Sequence, residues 1–202
     1  MPRLPDARPP AEASSQGQKD RRQRMLRAAI KLGSQQDFER VQMQDVAAES
    51  EVAIATLYRY FPSKVHLFVG VMRAELEKVD PAPYVVQADQ DLPGVVSDLL
   101  MLFSQEMYAN RRLSMSMIQS IILSEGLDSP DSAVIEEAFL DLLLRVAGWH
   151  GAPTEDQRRR CWLVIQCWFG VLVTTLSGNR PLESAQQDVR RACELLLPLH
   201  AG

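Results

Sequence analysis

Between residues 52 and 64 the chain reads Val-Ala-Ile-Ala-Thr-Leu-Tyr-Arg-Tyr-Phe-Pro-Ser-Lys, and this run holds the groups best suited to molecular recognition. Small side chains come first. Ala53, Ile54, Ala55 and Thr56 give the leading end of a short helix a slim profile, and alanine and threonine methyls suit the methyl group of thymine. Arg59 follows, with a planar guanidinium able to donate two hydrogen bonds to one guanine. Tyr58, Tyr60 and Lys64 carry donors of the kind that hold phosphate oxygens and fix a helix's register without reading sequence. Gln42 and Gln44, just upstream, are placed to reach the same backbone. Leu57 and Phe61 belong to a core. From the residues alone two alternatives stay open: Tyr58 and Tyr60 as core aromatics, and Arg59 in an intramolecular ion pair.

Such a run works only if helices present it. Leu26, Ala29, Ile30 and Gly33 recur at the spacing of one helix face, which predicts a first helix over about 18–35. A polar break at 36–42 leads to a short second helix, 44–50, whose Val46 and Ala47 pack inward. A third runs over about 53–60 and stops at Pro62, whose ring lacks a donor and disfavours helix in Phe61. Ser63 then caps a fourth helix reaching about Val79. Three short helices with a tight turn between the second and third match a helix-turn-helix, with the third able to enter a major groove.

Pro81, Pro83 and Pro93 punctuate the next stretch, so a domain boundary is placed near residue 80. Beyond it, helices are predicted at about 94–110, 113–124, 130–149, 155–177 and 182–198, broken by Gly, Asn and Pro clusters. No stretch alternates with the period of a strand. The fold class is therefore all-α, with about nine helices. Residues 1–17, rich in Pro, Ala, Ser and Gln, read as a disordered tail, 18–80 as the helix-turn-helix domain and 81–202 as a larger helical domain. Arg3 and Arg8 give that tail two charges for DNA phosphates.

The net charge of -4 conceals an asymmetry: residues 1–80 carry 13 Lys/Arg against 11 Asp/Glu, and the remainder 9 against 15. Lys19, Arg21, Arg22, Arg24 and Arg27 cluster near the start, opposed nearby only by Asp20, and can steer the protein to phosphates. Enzyme chemistry finds no foothold. The three histidines are scattered, no H-x-x-x-H, C-x-x-C or glycine-rich phosphate loop occurs, and no catalytic residue, metal site or cofactor is predicted. The odd set Cys161, Cys167 and Cys193, with no signal peptide and no apolar run long enough for a membrane helix, predicts a reducing cytoplasm.

The 52–64 run, above all Leu-Tyr-Arg-Tyr-Phe-Pro-Ser-Lys, joined to the basic first helix and Met43–Ala47, resembles the signature of the TetR family of bacterial regulators. Two positions depart from the family pattern. Glu51 stands where the turn commonly has Gly, and Ala53 where the recognition helix commonly starts with Ser, at a cost of about 1–2 kcal/mol for a left-handed Glu and about 1 kcal/mol for the lost cap. The resemblance implies a homodimer on double-stranded, near-palindromic operator DNA. It also implies that residues 81–202 dimerise and bind a hydrophobic small-molecule inducer, whose entry moves the fourth helix and usually releases DNA. For the pocket the apolar inventory offers Phe103, Met107, Met115, Ile118, Ile121, Trp149, Trp168, Phe169 and Leu172, each equally suited to filling the core. For the dimer, the last two helices offer Trp162, Phe169, Val173, Leu195 and Leu196.

Within the family, Tyr58–Leu67, Val41–Met43 and Pro153–Gln157 with Trp168 resemble actinobacterial repressors of cholesterol catabolism. That likeness implies a steroid-derived acyl-CoA thioester as inducer, with Arg111 or Arg112 available for its phosphates. A fatty acyl-CoA or an unrelated hydrophobe remains the alternative. A helical protein-interaction module is a more remote one, disfavoured by the phosphate-contacting pattern.

Overall fold

The computed structural model describes residues 15–87, 90–125, 131–149, 151–178 and 180–197, which form nine α-helices and no strand. They are α1 (Gln16–Gln35), α2 (Met43–Glu49), α3 (Ile54–Tyr60), α4 (Lys64–Leu76), α5 (Leu92–Ala109), α6 (Arg111–Glu125), α7 (Asp131–Val146), α8 (Glu155–Leu176) and α9 (Leu182–Leu196). The all-helical class expected from the sequence is what the chain adopts.

Local chemistry sets several of these ends. Ser63 caps α4 as expected, its hydroxyl accepting from the His66 N–H at 3.4 Å. Ser15 and Gln18 form a capping box, the Ser15 hydroxyl taking the Gln18 N–H and the Gln18 side chain returning to the Ser15 N–H at 3.2 Å. That box starts α1 at Gln16, inside the stretch read as tail. Arg3 and Arg8 lie outside the described residues. The proline-rich connection, expected as a plain linker, contains a 3-10 turn at Ala82–Tyr84.

Packing joins these helices into one body. α1 packs on α2, α4 and α6; α4 also meets α7; α5 lies on α9, and α8 on both α7 and α9. A single hydrophobic core runs from Met25, Leu57 and Phe68 through Leu99, Ile118 and Leu143 to Trp168 and Leu176. It passes through α4 without a break at the junction after Asp80. Gly33 makes one close approach possible: a methyl there would stand 2.8 Å from the buried Phe68 ring and 3.1 Å from Leu113, so a bare backbone lets α1 settle onto α4 and α6. The three cysteines are free. Burial pushes the Cys161 thiol up to about 11 and Cys193 to about 12, which leaves both as inert apolar fillers. Among the described residues no helix is long and apolar enough to cross a membrane.

Candidate nucleic-acid interface and ligand cleft

The turn before the third helix is a Schellman motif. Val52 N–H bonds the Ala47 carbonyl at 3.0 Å and Glu51 N–H the Ala48 carbonyl at 3.1 Å. The motif requires a left-handed residue at its bend, and Glu51 supplies it with φ 55°. The next helix, α3, has Ala53 at its N-cap and so no side-chain cap. Both departures noted in the sequence thus carry their expected structural consequence. Replacing Glu51 with Gly removes the left-handed penalty and adds backbone freedom to the unfolded chain, for a net gain of about 1 kcal/mol. A raised thermal midpoint in calorimetry checks this, and a fall would mean that the Glu51 side chain contributes more than its backbone costs.

α3 sits on the core by Leu57 and Tyr60 and leaves its outer face exposed. Ala55 and Arg59 are exposed, Thr56 is half-buried, Ile54 is 38% exposed and Tyr58 46%. Arg59 lies with its guanidinium 5.5 Å from the centre of the Tyr60 ring and pairs with no carboxylate among the described residues. Gln42 and Gln44 are exposed at the start of α2, and Gln42 rests its amide on the Arg40 carbonyl at 3.4 Å. On α1, Lys19, Arg24 and Arg27 point to solvent, whereas Arg22 lies over the Phe61 ring at 5.5 Å and burial lowers its pKa, Glu77 opposing.

Two residues expected to face phosphates are placed otherwise. Tyr60 is only 4% exposed, and its ring belongs to the core beside Phe61. Lys64 is turned back into the protein. Its ammonium donates to the carbonyl oxygens of Phe38 at 2.5 Å, Val41 at 3.1 Å and Glu39 at 3.3 Å, and stands 4.4 Å from the centre of the Phe38 ring. Burial lowers its pKa, with Glu39 opposing. Three convergent donors match the three protons of an ammonium, so Lys64 staples the α1–α2 connection to the start of α4. Phe38, read as part of a polar break, is buried and packs edge-on against Phe68 at 5.8 Å. A lone aromatic in a polar stretch was the signal available for it.

A second site lies between α4, α6, α7 and α8. It is a narrow apolar cleft with a cavity volume of about 50 Å³. Of the residues expected to line a pocket, Ile121, Trp168, Phe169 and Leu172 do so. Phe103 stands behind them, with its ring 6.3 Å from Trp168 and 5.7 Å from Phe139. Met107 and Ile118 are buried in the core and Met115 is half-buried against it. Trp149 is elsewhere, on an outer groove with Leu144, Arg145, Pro153 and Arg158. The reason is positional: it follows the end of α7, where the chain has left the helix face that points at the cleft. Phe139, part of the same apolar inventory in the sequence, also lines it, whereas sequence reading missed Met72, Ile135 and Ile165, whose helical spacing equally fits plain core, and the two polar lining residues, Glu136 and Gln166. Trp168 closes the cleft from α8, its indole N–H donating to Ser104 Oγ at 2.9 Å.

Neither Arg111 nor Arg112 lines the cleft. Both sit at the start of α6, respectively ten and nine residues before Ile121, or roughly 14–15 Å along the helix. Arg112 donates to the Gln35 carbonyl at 3.1 Å and lies 3.7 Å from Asp37. It therefore grips the end of α1. On the outer surface Trp162 and Leu195 are exposed, the latter at 63%, with Val173 and Leu196 half-buried nearby.

Residues 25–71 match the family model for bacterial regulatory proteins of the tetR family, and residues 91–196 that for the tetracyclin repressor-like C-terminal domain. The chain is 32% identical over 198 residues to the HTH-type transcriptional repressor KstR of Rhodococcus jostii, covering 95% of this chain and 87% of that one. It is 29% identical to KstR of Mycobacterium tuberculosis, covering 93% and 85%. Among solved structures, a TetR transcriptional regulator from Rhodococcus sp. RHA1 superposes with a TM-score of 0.76 at 38% identity, covering 88% of this chain and 97% of that one. The fold is also that of Thermus thermophilus FadR, solved with lauroyl-CoA, with a TM-score of 0.62 at 16% identity and coverage of 87% and 93%. Matched along nearly its whole length by relatives and in both halves by family models, the chain belongs to the TetR family of DNA-binding bacterial transcriptional regulators.

Proposed function

We propose that this protein is a repressor that binds a palindromic operator as a homodimer and is released by a hydrophobic inducer entering the cleft between α4 and α8. The observation that carries the reading is the exposed face of α3. There Ala55, Tyr58 and Arg59 are exposed and Thr56 half-buried, Arg22 of α1 lies over the Phe61 ring that ends the helix, and α4 leads from that end of the molecule to the cleft, where Met72 lines it. Gln42, Gln44 and Tyr58 hold the phosphate backbone, Ala55 and Thr56 touch base edges, and Arg59 reads a guanine. The exposed Trp162 and Leu195 on α8 and α9 supply apolar area for a partner. Residues 18–80 are the reading part and 81–202 the sensing and pairing part.

The resemblance of Tyr58–Leu67 and Pro153–Gln157 to repressors of cholesterol catabolism favours a steroid-derived acyl-CoA thioester as that inducer. Since the cleft has little free space, its occupant must push α4 away from α8 and so respace the two recognition helices. The test is selection of bound fragments from random DNA, repeated with steroid-derived and straight-chain acyl-CoA thioesters. An enriched palindrome released by the steroid thioester is expected. Release by the straight chain alone replaces the ligand, and the absence of any enriched site at low salt overturns the reading. On the selected operator, Arg59→Ala is expected to weaken binding roughly 5- to 150-fold and to relax preference at one base position. A uniform loss across all sequences would make Arg59 a phosphate contact instead.

A further inference from the structure

The cleft is apolar except at one place, where Glu136 on α7 faces Gln166 on α8 and accepts a hydrogen bond from its amide nitrogen at 3.3 Å. The next residue, Glu137, is neutralised by Arg158 at 2.8 Å. Glu136 meets no cation among the described residues. An ionised carboxylate is a pure acceptor with about four lone-pair sites, and one amide uses one of them. Beside it stand the rings of Phe139, Trp168 and Phe169. A ligand that covers this carboxylate strips water from it, which is costly unless the ligand itself brings a donor. A second carboxylate there meets like charge at short range.

We infer that the cleft takes an apolar molecule through a hydrogen-bond-donating head group, hydroxyl or ammonium, set against Glu136, and that it rejects the carboxylate of the same hydrocarbon. Gln166 is the positioning residue that holds the Glu136 carboxylate across the cleft. A thioester ligand obeys the same rule when the end inside the cleft carries a hydroxyl. The inference rests on the reading of this cleft as the inducer site.

Its test is titration calorimetry on the full chain with decanol, decylamine and decanoate, which share one hydrocarbon and differ in the head. The alcohol or the amine is expected to bind about tenfold or more tightly than decanoate, as one charge-assisted hydrogen bond against one repulsion requires. Preference for the amine alone identifies a cationic head, and equal preference for the alcohol shows that a hydroxyl suffices. Glu136→Gln, nearly isosteric on a half-buried side chain, is expected to keep its melting temperature and to lift decanoate to the level of decanol. Decanoate binding as tightly as either rival, an order unchanged in Glu136→Gln, or no binding of any of the three overturns the inference. Selection of DNA is read separately. A palindrome without head-group preference keeps the regulator and discards this ligand chemistry, whereas preference without an operator does the reverse.

Discussion

Trp168→Ala is expected to lower folding stability by roughly 3–5 kcal/mol, the range for emptying a fully buried tryptophan site. For a chain of this size that is a fall in melting temperature of roughly 6–20 °C. Trp168 is 2% exposed, packs its ring 5.1 Å from Phe139, and forms one wall of the cleft while bonding Ser104 from the core side. Trp168→Phe separates packing from polarity. Ser104 still donates to the Leu100 carbonyl at 2.9 Å, so that variant loses one hydrogen bond and a little volume, about 1–2 kcal/mol. The alanine variant opens the cleft toward Ser104, so a bulkier apolar ligand than the wild type accepts should bind it. Thermal melts with and without ligand check both statements. A loss below about 1 kcal/mol for alanine would mean that α5 and α7 collapse into the space and that Trp168 does not shape the cleft.

Lys64→Met is expected to cost about 2–3 kcal/mol, because it keeps the length of the side chain and leaves three carbonyl oxygens without their shared cationic donor. The variant also discriminates between two roles. If Lys64 staples the connection between α1 and α2, stability falls while the salt dependence of operator binding keeps its slope. If it reaches a phosphate, stability holds and the slope of log K against log salt drops by about 1. Denaturant melts and salt titrations on one preparation decide it. Lys64→Arg is not expected to rescue, since a planar guanidinium does not fit three converging carbonyls.

Features set by neighbours in the chain were legible from the sequence. Ser63 as a cap and Pro62 as a helix stop need only the residues beside them, and all nine helices follow from periodicity and breakers. The strained bend at Glu51 was readable only through the family resemblance, which puts Gly at that turn position. Tyr60 and Lys64 were not legible, because their fate depends on a surface brought up from elsewhere. The carbonyls that capture Lys64 lie 23 to 26 residues back along the chain. The cleft was legible only in part for the same reason. Ile121, Trp168, Phe169 and Leu172 lie on helix faces that converge, while Phe103 and Met107 have the same residue types and periodicity on faces that meet solid core. Glu136 and Gln166 gave no signal at all, since a polar residue on a helix is by default a solvated one.

Because the core passes unbroken through α4, the reading end of this protein is not a transplantable part. A cut after Asp80 strips α6 and α7 from α4, so a graft onto a relative's C-terminal part must rebuild a matched interface at every helix α4 touches. Positions 55, 58 and 59 carry no such obligation, being exposed. On the function proposed above, new operator preferences arise most cheaply by point changes at those positions, and residues 81–202 can drift in their choice of ligand only as far as the shared wall of α4 allows.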